Sequence, residues 1–186
     1  MDETAAPVGD QARASGAPPA APHRRGLIIV LAVTAILVIG LDQLTKTLAV
    51  DRLSGREPIP IVDGLVRLNL TRNAGAAFSL ATGTTWVFTL IAGVVIVVIM
   101  RTARRLGSRW WAVALGLLLG GAVGNLLDRL FRAPGVGRGH VVDFLELPHW
   151  PVFNIADSSI VTAAVIIAWL GLRGVGVDGR PAGERG

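Results

Sequence analysis

Two aspartates carry the most distinctive chemistry in this sequence. Asp143 and Asp157 fall in the stretch Gly139–Asp157, GHVVDFLELPHWPVFNIAD, each among mostly apolar neighbours. Neither has an Arg or Lys three or four residues away, and only His140 stands near Asp143. Two carboxylates without local cations can perturb one another, so that one is ionised while the other keeps a proton. Acid–base hydrolysis needs that division. Other candidates are weaker. The chain has no cysteine, which removes a thiol nucleophile and any Cys-based metal site. Ser158 and Ser159 follow Asp157 and are expected to cap or line the start of a helix. His140 and His149 lack metal-ligand spacing, so a zinc site of two histidines and an aspartate is the lesser alternative, and no metal is expected.

These residues must be positioned by apolar elements. Asp157 is followed directly by the uncharged run SSIVTAAVIIAWLGL. A carboxylate at the mouth of a membrane helix is costly to keep charged, and is by default a functional candidate. The composition agrees, since 52% of the residues are hydrophobic and 17% charged, against about 25% charged in a soluble domain. Besides Ser158–Leu172, uncharged runs occupy Gly26–Leu41, Ala74–Met100 (its helix expected from about Thr85) and Trp110–Leu127. Each is slightly short of the roughly 20 residues of a span, but polar flanks extend all of them. Four buried helices of a soluble bundle would need polar faces, which these runs lack. Arg24 and Arg25 before the first run also fit a signal peptide. Against that, the run continues past Asp42 as the amphipathic QLTKTLAV with no clear small-residue cleavage site. A retained first membrane helix is expected.

The net charge of +5 raises nucleic-acid binding as a class, but the basic residues are scattered among apolar runs instead of forming a patch. They read as topology signals. Arg101, Arg104, Arg105 and Arg109 crowd the link between the second and third helices with no acid among them. Placing that link and both tails in the cytoplasm puts ten basic and five acidic residues inside, and eight of each elsewhere. This obeys the positive-inside rule and sets Asp143 and Asp157 at the outer face. Trp86 and Trp150 then fall at the outer boundary, and Trp110, Trp111 and Trp169 at the inner one.

Between the first two helices, Val66–Arg72 alternates apolar and polar residues, as a half-buried strand does. A small outer sheet resting on the bilayer is expected there, with a plain surface hairpin as the alternative. On the third helix, Gly116, Gly120 and Gly124 recur every four residues and lead to Asp128, beside the ridge Gly121, Asn125 and Arg129. Small residues at that spacing let another helix approach closely. On the first helix, Asp42 and Lys46 stand four apart in the favourable acid-first order and read as a compensating structural pair. Asp128 has Arg132 at the same offset.

Five motifs now resemble one family. DQLTK at Asp42–Lys46, NAGAAF at Asn73–Phe78, GGAVGNLLDR at Gly120–Arg129, GHVVDF at Gly139–Phe144 and FNIAD at Phe153–Asp157 stand in that order. Together they resemble lipoprotein signal peptidase (signal peptidase II), the aspartyl protease of bacterial inner membranes, over about Leu27–Leu172. The resemblance implies a catalytic dyad of Asp143 and Asp157. It implies substrate- or inhibitor-binding positions at Asn73, Asn125, Arg129 and Asn154, and supporting positions at Asp42, Lys46 and Asp128. The implied substrate is a prolipoprotein whose cysteine bears diacylglycerol, cut just before that cysteine. Globomycin-type inhibitors and membrane lipids are implied partners, the chain acting as a monomer without a metal or organic cofactor.

The expected protein is thus an α-helical polytopic membrane protein with four transmembrane helices, a small extracytoplasmic β-cradle and a lid loop. Residues 1–25, rich in Ala, Pro and Gly, are expected to be a disordered cytoplasmic tail. Residues 26–172 form the peptidase domain, with the cradle at about 58–82 and the lid at about 131–156. Residues 173–186 are a cytoplasmic tail. A proton-coupled transporter is the rival from another class. It would need ionisable groups spread through the membrane depth, whereas Asp42, Asp128, Asp143 and Asp157 cluster at one set of helix ends. A helical scaffold would leave the two unpaired aspartates unexplained.

Overall fold

A computed structural model describes residues 22–75 and 85–181 of the chain. Its helices are α1 (Pro22–Leu53), α2 (Thr85–Ala103), α3 (Arg109–Phe131) and α4 (Ile155–Leu172), and its strands are β1 (Ile59–Val62), β2 (Val66–Asn73) and β3 (Val141–Glu146). All four helices are long and apolar enough to cross a membrane. Their outward faces agree, since Ile36, Leu37, Val94, Val98, Trp110 and Val165 are all exposed. Apolar side chains facing outward on four such helices are what a lipid solvent allows and water does not.

The centre of the bundle is α3, packed against each of the other helices. Its glycines explain why. A Cβ on Gly116 would lie 2.8 Å from the Leu31 carbonyl oxygen, and one on Gly120 2.7 Å from Val38 Cβ. On the adjacent ridge, a Cβ on Gly121 would lie 2.5 Å from the Ala156 carbonyl oxygen. The first ridge therefore seats α1, and the second seats α4. Backbones this close gain packing energy that lipid tails cannot match.

The three strands form one antiparallel sheet in the order β1-β2-β3. It sits where α1 and α3 end and α4 begins. Phe144 on β3 is buried against Ala49 and Leu53 of α1, which fastens the sheet to the bundle. The expected strand at Val66–Arg72 is β2. The segment 131–156, expected as a lid loop, is not loop throughout, because β3 lies inside it and pairs Asp143 with Thr71. Residues 76–82 of the expected cradle, and with them part of NAGAAF, fall outside the described residues, as does the tail up to residue 21.

One further boundary differs from expectation. Helix α1 begins at Pro22, ahead of the expected boundary at Gly26. The C-terminal tail from residue 173 folds back through 181: Val175 bridges to Pro181, and Gly107 N donates to the Val177 carbonyl at 2.9 Å. Trp111 Nε1 donates to the Val175 carbonyl at 3.0 Å, giving a half-buried indole its partner.

Candidate active site

The two aspartates are delivered by different elements. Asp143 lies on β3 and is 1% exposed. Beyond β3 the chain reverses sharply, with His149 at φ 60°. Phe153 then pairs with Leu145 through N–H···O bonds of 2.9 Å in each direction. This reversal returns the chain to Asp143 just as α4 starts.

Asn154 is the N-cap of α4, and Asp157 is its third helical residue. The Asn154 side-chain oxygen accepts from Asp157 N at 2.9 Å, and Asp157 Oδ2 accepts from Asn154 N at 3.2 Å. This reciprocal capping box satisfies two otherwise orphaned helix donors. Ser158 and Ser159, expected to cap or line the start of the helix, line it, and their hydroxyls donate to the carbonyls of Asn154 and Ile155. A hydroxyl that far inside the first turn finds the carbonyl four residues back nearer than any free N–H.

All four carboxylate oxygens of the pair hold one donor each. Asp143 Oδ1 accepts from Asn154 Nδ2 at 2.6 Å, and its Oδ2 from Asn73 Nδ2 at 3.0 Å. Asp157 Oδ1 accepts from Asn125 Nδ2 at 2.8 Å, and its Oδ2 takes the Asn154 backbone N–H. Asn154 therefore touches both carboxylates, one through its side chain and the other through its backbone. Among the described residues neither aspartate is in an ion pair. Burial pushes the Asp143 carboxyl up to about 6 from 3.8, offset in part by the Asn73 and Asn154 amides and reinforced by Asp157.

The supporting residues form a second layer beneath this one. Lys46 is fully buried, with its ammonium 2.8 Å from Asp42 Oδ2 and 3.0 Å from Asp128 Oδ2. The expected Asp42–Lys46 pair thus exists, but the lysine also reaches α3. Arg132 Nε meets Asp128 Oδ1 at 2.6 Å, so two cations balance two anions. Asp42 Oδ1 accepts from Ala156 N at 2.9 Å, and Asp128 Oδ2 from Val142 N at 3.1 Å. One buried network therefore ties α1, α3, α4 and β3 together. Removing a single partner from such a network costs about 3–5 kcal/mol, because a bare buried charge remains.

Sequence reasoning missed Gln43, whose amide reaches Asp42, Gly124 and Asp128 within 3.4 Å. Its neighbours in DQLTK were the only signal. Arg129 behaves differently from its neighbours. It is 9% exposed, its guanidinium lies 5.2 Å from the Phe88 ring centroid, and its buried Nη1 has no hydrogen-bond partner among the described residues. A cavity of about 340 Å³ opens beside Asp157, lined by Trp150, Phe153, Ser158, Val161 and Thr162. Among the described residues no cluster of His, Asp and Glu could hold a metal ion.

Residues 34–173 match the family described as Signal peptidase (SPase) II. The chain is 54% identical over 164 residues to a lipoprotein signal peptidase of Mycobacterium avium, covering 88% of this chain and 89% of the relative. It is 50% identical over 171 residues to one of Rhodococcus jostii, covering 91% and 85%. A solved bacterial membrane enzyme superposes with a TM-score of 0.69 at 27% identity, covering 80% of this chain and 94% of that one.

Proposed function

The chain belongs to the signal peptidase II family of membrane-embedded lipoprotein signal peptidases, and on that premise we propose that Asp143 and Asp157 are its catalytic dyad. The observation that carries the proposal is Asn154. One residue holds both carboxylates, and among the described residues no cation is paired with either. Its substrate is a diacylglyceryl prolipoprotein, cut immediately before the lipidated cysteine.

Hydrolysis then follows from the two environments. Asp157 sits in the first turn of α4, where backbone N–H groups and the helix dipole favour an anion. Asp143 is buried on a strand with a raised proton affinity. Ionised Asp157 takes a proton from water as the water oxygen attacks the scissile carbonyl carbon. Protonated Asp143 hydrogen-bonds the carbonyl oxygen while charge develops there. As the C–N bond breaks, the proton held by Asp157 passes to the leaving amine, and the acid product departs.

Asn73, Asn125 and Asn154 hold the carboxylates in place, and the free Nη1 of Arg129 offers a donor to a substrate carbonyl. The apolar cavity at Trp150 and Phe153 suits the lipid-bearing side of the substrate. Residues 131–156 include the segment that covers the site, and globomycin-type inhibitors would occupy the same space. The chain works as a monomer with both termini in the cytoplasm and the dyad near the outer face of the bacterial inner membrane. It needs no cofactor.

Asp143→Asn and Asp157→Asn should each abolish cleavage of a diacylglyceryl prolipoprotein, read by gel shift, while the protein still melts cooperatively in detergent. Near wild-type turnover in either variant would sink the dyad.

A further inference from the structure

Each of the three asparagines around the dyad has its amide orientation locked by a donor on the oxygen side. For Asn73 that donor is Gly75 N at 2.7 Å, and for Asn154 it is Asp157 N at 2.9 Å. For Asn125 there are two donors, and the shorter bond is the charged one. Asn125 Oδ1 accepts from Lys46 Nζ at 3.0 Å and from Asn154 Nδ2 at 3.2 Å. An ammonium has three hydrogens and no lone pair. All three are used here, by Asp42 Oδ2, Asp128 Oδ2 and Asn125 Oδ1. Because Lys46 cannot accept, Asn125 must turn its oxygen toward the lysine and its NH₂ toward Asp157. The 2.8 Å bond from Asn125 Nδ2 to Asp157 Oδ1 follows from that constraint.

We propose that Lys46 is a positioning residue for catalysis: by fixing the Asn125 amide, it keeps a donor on Asp157 and so holds that carboxylate ionised and ready to take a proton. The proposal rests on the dyad assignment above. Lys46 is thereby more than the counter-ion of Asp42. A donor to a carboxylate stabilises its charged form. Among the described residues, the charged groups around Asp157 are Asp42 and Lys46 on α1, Asp128 and Arg129 on α3, and Asp143 on β3. Lys46 is the one joined to it through a single neutral side chain.

A double-mutant cycle tests the relay in the full-length chain. Asp42→Asn with Lys46→Met removes one charge of each sign and leaves Asp128 with Arg132. Relative to Asp42→Asn alone, the pair should move the acidic limb of the kcat profile up by about one pH unit and lower kcat at neutral pH about tenfold. KM for a diacylglyceryl prolipoprotein should stay within about threefold, since no group that touches substrate is altered. In an Asn125→Ala background the same lysine change should move the limb no further, because interacting residues are non-additive. Equal shifts in both backgrounds would overturn the relay, showing that Lys46 acts by its field alone. A lowered melting temperature with an unmoved limb would overturn it too, leaving a structural role.

Asn125→Asp keeps the test decisive if the methionine variant fails to fold. It leaves Lys46 an acceptor of the same shape but presents an acceptor, not a donor, to Asp157. Turnover should fall at least about 100-fold with the melting temperature held, as when a preorganised donor is lost. Turnover near wild type would end the proposal. If Asp143→Asn or Asp157→Asn remained active, the dyad itself would fail, independently of the cycle.

Discussion

At the scale of single residues, the burial of Asp143 makes its proton part of the fold's stability. Its carboxyl is pushed up to about 6, from an ordinary 3.8, mainly by desolvation. Between those two values the folded chain holds the proton and the unfolded chain does not. The stability from this group is therefore complete below 3.8 and is lost as pH rises toward about 6. A shift of about two units corresponds to about 3 kcal/mol as an upper bound. Asp143→Asn cannot titrate, so the melting temperature of the wild type relative to this variant should fall as pH rises from about 4 to about 7. A constant difference would contradict the buried, protonated Asp143 that the mechanism uses. The aspartates stand out in the sequence because no Arg or Lys sits a helical turn away from either. Lys46 is legible only in part. Its offset from Asp42 is visible as an i, i+4 pair, but its reach to Asn125 and Asp128 crosses between helices, and no spacing within one helix encodes that.

Elements show the same division between local and non-local signals. The ridge Gly116, Gly120, Gly124 is readable because a four-residue repeat needs no partner to be seen, and the partner it admits is α1. Gly120→Ala would place a Cβ 2.7 Å from Val38 Cβ and 2.9 Å from the Ala35 carbonyl oxygen. Such overpacking costs about 1–3 kcal/mol, seen as a lower melting temperature in detergent. Gly40 has nothing within 4 Å of the same position, so Gly40→Ala should leave stability unchanged or raised. Equal losses in both would show that the close approach of α1 to Gly120 does not set the cost, since helix propensity favours alanine at both positions. Strand β3 was hidden for a physical reason. Residues Val141–Phe144 are all buried, covered on one face by α1 and on the other by the site, so the period-two alternation that reveals β2 is absent. The start of α4 was blurred differently. Asn154 and Asp157 fit a capping box, but the same aspartate reads equally well as chemistry, and here it serves the cap as well.

Across the whole molecule, the chain separates its polar ends. Asp143 and Asp157 (the proposed dyad), their asparagines and the sheet gather where α1 and α3 end, while Arg101, Arg104, Arg105 and Arg109 lie at the opposite ends of α2 and α3. Four apolar helices between the two make that separation a transmembrane one. Which end faces the cytoplasm is not encoded in any packing contact, because the helices would fit together identically in either orientation. The orientation we propose rests on the arginines, since basic loops are retained on the cytoplasmic side. The absence of cysteine permits a direct measurement. Ser108→Cys, at the start of α3, should react with a membrane-impermeant maleimide only after the cells are opened. Asp63→Cys, in the exposed turn between β1 and β2, should react in intact cells. The reverse pattern would put the dyad on the cytoplasmic side, where a substrate translocated before cleavage could not reach it. Labelling of both sites in intact cells would break the four-span topology itself.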